Sequence, residues 1–254
     1  MASTKDTFVS SATYNSLPHI SDVGDAPEKH ADALRALRAL LNEHHVPPGI
    51  SVRLIHKHYD TEDGEVMAFK EVSVPSQGNV LTMGPTFPSS SPPLRGIHFF
   101  VDADGVFQAY EYANIDVPDM SAYQTFLDEF GRLILERGLQ RIFGLKLDCK
   151  QEALGWTEFE FPGKRSTVMI PTGMPVPDEV EYTLNVTTEW GKTDDEAFVK
   201  RGCSHCDHTR TCSNHNRPHC GAEAQELSGF YLGGRKIDAA SPVFPIMNAV
   251  AAVW

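Results

Sequence analysis

The segment Cys203-Ser-His205-Cys206-Asp-His208-Thr-Arg-Thr-Cys212-Ser-Asn-His215-Asn-Arg-Pro-His219-Cys220 sets the tightest limit on what this chain can fold into. Four of the five cysteines and four of the eleven histidines fall within it. An even spread would put roughly one such residue there, so the clustering has a cause. Thiolate sulfur and imidazole nitrogen are the donors a borderline-soft divalent ion prefers, and Zn²⁺ takes four of them tetrahedrally. The segment has neither a strand nor a helix period, which suits a loop wrapped round an ion. Cys203 and Cys206 make one half-site. The other half is open between Cys212 with His215, His215 with His219, and His215 with Cys220. With His208 added, the donors exceed one shell. A closed structural zinc site is the expectation, and catalysis at this loop is the nearest variant.

Clustered thiols used as ligands fit a reducing compartment. The start Met-Ala-Ser-Thr-Lys-Asp-Thr-Phe lacks the apolar core of a signal peptide, and no apolar run is long enough for a membrane span. A cytoplasmic location without a membrane partner is therefore expected. The formal charge of −12 argues against nucleic-acid partners, because phosphate contacts need a basic face. There is no phosphate-cradling glycine loop, dinucleotide fingerprint or nucleophile elbow, so kinase, Rossmann and serine-hydrolase readings lose their support.

The 254 residues suffice for one large domain or two small ones. Residues 1–24 read as an N-terminal arm without a clear period. Asp25-Ala-Pro-Glu28 then predicts a helix start, Leu34, Leu37, Leu40 and Leu41 its apolar stripe, and Pro47-Pro48-Gly49 its stop. Two hairpins follow: 51–58 with 65–72 about Asp63-Gly64, and 95–102 with 106–114 about Asp104-Gly105. Between them, 76–96 reads as a long loop with at most a short strand near 80–83. Ser121-Ala-Tyr-Gln124 is a capping box for a helix whose buried face holds Tyr123, Phe126, Leu127, Phe130, Leu133 and Ile134, ending at Gly138. Residues 25–148 thus predict an α+β domain, two helices packed on an antiparallel sheet built from hairpins. Residues 149–254 predict a strand-rich half, with strands at 156–161, 165–170 and 180–188, the Cys/His loop and an apolar tail. That tail, 243–254, is expected to dock into a core or to carry a homo-oligomer or protein contact.

A second candidate site lies in the first half. His56-Lys57-His58 on one strand puts both imidazoles on one face; Glu62 follows, and His98 sits on the next hairpin. Two or three His with a carboxylate and open positions are a common holder of catalytic Fe(II), Mn(II), Cu or Zn. His-x-His-x3-Glu is similar to the first metal motif of the cupins, over about a dozen residues, and Pro93-x2-Gly96-x-His98 approximates the second. The expected glycines are displaced or absent. The resemblance implies a cupin-like barrel as the alternative architecture, with the histidines as ligands.

These features together predict a metal-dependent enzyme, oxygenase-like oxidoreductase or hydrolase/lyase, acting on a small organic molecule. His56, His58, Glu62 and His98 would hold the working ion, and zinc in the Cys/His loop would brace the second half. The alternative is a non-catalytic zinc-binding scaffold or protein-interaction protein.

Overall fold

The computed structural model describes residues 4–5, 7–147, 155–174, 184–192, 198–206, 230–232, 235–237 and 239–253; for 4–5, 184–185, 198–206, 230–232 and 235–236 it describes the backbone alone. The first part runs β1 (Thr4–Lys5), α1 (Ser11–Asn15), α2 (Ile20–Val23), α3 (Ala26–Lys29), α4 (Ala31–Glu43), β2 (Ile50–Leu54), β3 (Val66–Val74) and β4 (Gly78–Thr86). It continues with β5 (Arg95–Val101), β6 (Phe107–Ala113), α5 (Gln124–Glu136) and β7 (Phe143–Leu147). Then come β8 (Gly155–Phe161), β9 (Ser166–Pro171), β10 (Leu184–Lys192), β11 (Phe198–Cys206), β12 (Phe230–Leu232), β13 (Arg235–Ile237) and α6 (Phe244–Ala251). The class is mixed α and β, rich in strands and with few helices. No described helix is long and apolar enough to cross a membrane.

The chain divides into two compact units, each assembled from separate stretches. Unit 1 comprises Met1–Ala68, Pro85–Leu154 and Thr187–Gly202; unit 2 comprises Phe69–Gly84, Gly155–Val186 and Cys203–Trp254. In unit 1 the strands lie in the order β1-β6-β5-β7-β2-β10, antiparallel except for β1 beside β6. Leu34, Leu37 and Leu41 of α4 are buried, and α4 touches both β2 and α5. Phe126, Phe130 and Ile134 of α5 are buried too, with Phe130 against Phe107 at 5.9 Å between ring centroids. Gly144 is where β7 passes close to β5: a Cβ there would collide with the Phe99 carbonyl oxygen.

In unit 2 the order is β3-β4-β9-β8. One core joins Val72, Val80, Phe159, Phe161, Val168 and Ile170 to Val243, Ile246, Met247 and Val250. The apolar tail thus docks into a core, as a helix opened by Pro245 at its first turn.

Several expectations need correction. Residues 11–23 are not an arm: they form α1 and α2, with Tyr14, Leu17, Ile20 and Val23 buried. Asp25 makes no side-chain cap, and the helix beyond it is interrupted at His30. Ser121 does not cap α5: Asp119 accepts from the Ser121 N–H and caps a short 3-10 turn, Met120–Tyr123, and α5 follows it without a side-chain cap of its own. The second hairpin forms, with Gly105 at φ +80 in its turn. The first does not, because β2 takes β7 and β10 as neighbours. A turn does close at Gly64, where Glu65 N donates to Glu62 O at 3.0 Å, but the loop around it lies outside any ladder. β3 pairs with β4 instead, so the first part of the expected 76–96 loop is a nine-residue strand.

Candidate active site

β2 alternates in the usual way of a strand: Val52 and Leu54 are apolar, while Ser51 and Arg53 are polar yet buried. Neighbouring strands continue that polar row across unit 1. Arg53 stands opposite Glu189 of β10, Ser51 opposite Lys146 of β7, Lys146 opposite His98 of β5, and His98 opposite Glu111 of β6. Burying such groups is costly unless they satisfy one another, and several of them do. Ser51 Oγ donates to Glu189 Oε1 at 2.9 Å, and Lys146 Nζ to Glu189 Oε2 at 3.0 Å. Arg53 Nη1 donates to Thr188 Oγ1 at 3.2 Å. The β5–β6 ladder shifts register on both sides of His98, a bulge that re-aims its ring.

His98 Nδ1 donates to Glu111 Oε2 at 2.5 Å, and both side chains are buried. Burial, then the charges of Arg53, Lys146, His56 and His58, hold the His98 pKa well below the usual histidine value. The ring is therefore neutral with its proton on Nδ1, which leaves the lone pair on Nε2. His56 Nδ1 must donate to the carbonyl of Leu54, at 2.9 Å, so its lone pair also lies on Nε2, 3.4 Å from Arg53 Nη2. The His56 and His58 rings are 5.0 Å apart. Tyr14 Oη donates to Glu111 Oε1 at 3.2 Å and accepts from the His58 N–H at 3.4 Å. Burial first, and the Glu111 charge second, raise the pKa of Tyr14 well above the ordinary phenol value; the same two causes raise that of Tyr110.

Three of the four residues singled out in the first half are buried: His56, His58 and His98 are 0%, 7% and 3% exposed, with the His56 and His58 rings side by side and both near enough to act electrostatically on His98. Glu62 does not join them. It is exposed at the Gly64 turn, and the carboxylate that meets His98 is Glu111. β2 also ends at Leu54, so His56 and His58 lie beyond the strand predicted to carry them. Arg53, Glu111, Lys146 and Glu189 were missed, although each is a lone charge within an apolar strand: Ile-Ser-Val-Arg53-Leu, Ala-Tyr-Glu111-Tyr-Ala, Phe-Gly-Leu-Lys146-Leu and Val-Thr-Thr-Glu189-Trp. Tyr14 carried no such signal.

The donor chemistry fits a divalent first-row ion: His56 and His98 have their Nδ1 atoms committed to a carbonyl and a carboxylate, and the His98 ring is backed by that carboxylate. Among the described residues, however, no group of three or more His, Cys, Asp or Glu is arranged to hold an ion. Of the Cys/His segment, Cys203 and Cys206 lie in β11, described by its backbone; His208, Cys212, His215, His219 and Cys220 lie outside the described residues. No family model matches the chain, and neither the curated proteins nor the solved structures contain a match to it.

Proposed function

We propose that the chain is a cytoplasmic, metal-dependent enzyme acting on a small organic molecule, with His56, His58 and His98 as ligands of the working ion. The observation that carries this reading is the buried set of imidazoles, two of which, His56 and His98, have Nδ1 committed to Leu54 O and Glu111. The His98 ring fixed in this way offers Nε2 to an ion, its basicity raised by the carboxylate behind it, whereas His56 Nε2 accepts from Arg53 Nη2 at 3.4 Å and would exchange that donor for the ion. Bound there, Fe(II), Mn(II), Cu or Zn would supply Lewis-acid chemistry or an activated water or O₂. Glu111 keeps the His98 proton on Nδ1. Arg53 places a cation beside His56, suited to a reactant that carries or develops negative charge. Burial of the whole row strengthens each of these effects by excluding water. A cupin-like barrel is the alternative architecture for such a centre. In the second half, zinc held by Cys203, Cys206 and donors from His208 to Cys220 braces the fold.

Elemental analysis of tag-free protein tests both ions. Transition metal at one ion or more per chain is expected. His58→Gln should keep the fold and lose a labile ion together with activity. Cys206→Ser should lower the melting temperature sharply, because structural zinc contributes directly to folding. Full metal content in the His56/His58 double variant removes the catalytic reading and leaves a zinc-binding scaffold in its place.

A further inference from the structure

Residues 55–62, which carry His56 and His58, lie outside the named strands. The N-terminal segment meets their backbone instead. Lys57 N donates to Pro18 O at 2.8 Å and Thr61 N to Asn15 Oδ1 at 2.8 Å. Asn15 Nδ2 donates to Thr61 O at 2.9 Å, and Ser11 Oγ to Glu62 O at 2.8 Å. Lys57 Nζ returns a bond to Asn15 O at 2.7 Å. From the middle of this seam Tyr14 is buried, only 1% exposed. One phenolic oxygen accepts the His58 N–H and donates to Glu111 Oε1, while the other Glu111 oxygen holds His98. Two parts of the chain that each supply a histidine are thereby tied through a single hydroxyl.

We infer that Tyr14 is a positioning residue of this centre, its hydroxyl setting where His58 stands relative to the Glu111–His98 pair. The inference rests on the metal-centre reading above. The direction of the link is fixed: an oxygen that accepts an amide proton must turn its own proton elsewhere, and Glu111 Oε1 is there to take it. Donation to Oε1 favours the ionised carboxylate, which keeps Oε2 a pure acceptor for the His98 Nδ1–H. Tyr14→Phe retains the ring and its packing against Tyr110, at 6.5 Å between centroids, and removes only the hydroxyl.

The experiment titrates full-length protein with Co(II) and Zn(II) against a competing chelator and follows the His98 Nδ1 proton by NMR in the metal-free state. Tyr14→Phe, folded by its amide dispersion, should bind about tenfold more weakly or worse at the site that His58→Gln abolishes. Its His98 resonance should move. Asn15→Ala loosens the same seam without touching the hydroxyl; it should leave that resonance in place and weaken the ion far less. Unchanged affinity with an unchanged resonance in Tyr14→Phe overturns the inference and leaves the metal centre standing. So do equal losses and equal resonance shifts in the two variants, because the seam as a whole would then be responsible. Wild-type protein that takes up no ion at His58 overturns the metal-centre reading and the role of Tyr14 with it.

Discussion

His98 shows how one side chain ties stability to pH. It is neutral in the fold, and burial together with Arg53 and Lys146 keeps it so. Its folded pKa therefore lies below the unfolded value of about 6.5. The stability it contributes is fully present above that unfolded value. As pH falls below it, the unfolded chain binds a proton that the fold refuses, and the contribution is lost on the way to the folded pKa. The slope is at most about 1.4 kcal/mol per pH unit. Urea titrations of metal-free protein between neutrality and mild acid should show this fall, and His98→Asn should flatten it. Equal slopes for the two proteins would assign the acid sensitivity elsewhere. At this scale the sequence was partly legible. His-x-His flags a shared side because two residues bring a strand back to the same face, and His98 followed from its hairpin. Glu62 is merely the carboxylate close to the pair in sequence. The carboxylate that meets His98 is instead set by strand pairing, since β6 brings Glu111 opposite it, and Tyr14 reaches Glu111 across 97 residues.

Among the elements, two with local signals are legible in the sequence. The β5–β6 hairpin has its Asp-Gly turn, and α5 has its apolar stripe and its glycine stop, Gly138 at φ +65. β2 was a fair strand given the wrong partner. Nothing in 50–58 encodes that β7 and β10 would flank it, and such long-range pairing escapes local pattern. β4 was hidden by Gly84 and Pro85, which read as loop residues. Gly144 was not singled out at all, though β7 depends on it. Gly144→Ala should cost about 3 kcal/mol or more, because the obstacle is the backbone of β5 and not a side chain that can swing away. Chemical denaturation would measure it. A loss below about 1 kcal/mol would mean that the two strands can separate without cost.

Across the molecule, the two units draw on the chain in alternation. The second keeps its core under a helix from the end of the sequence, where Ile246, Met247 and Val250 close over Phe159 and Val168. Met247→Ala should destabilise the protein by about 2–5 kcal/mol, the usual range for a buried large-to-small change. A shift in melting temperature of about a degree or less would show that this helix is not integral to its unit. The tail was recognisable from its apolar composition; its helical form was not, because Pro245 reads as a break until its place in the first turn is known. Alternation between units could not be read, since it depends on strand neighbours far apart in sequence. It has a consequence for how the protein is made. Ser51 and Lys146 wait for Glu189, and the first of these pairs spans 138 residues. During synthesis Ser51 and Lys146 must therefore persist without their partner until β10 has been translated. Late closure of this kind favours slow folding and leaves open sheet edges exposed, so the nascent chain is the stage at which this protein most needs protection from aggregation.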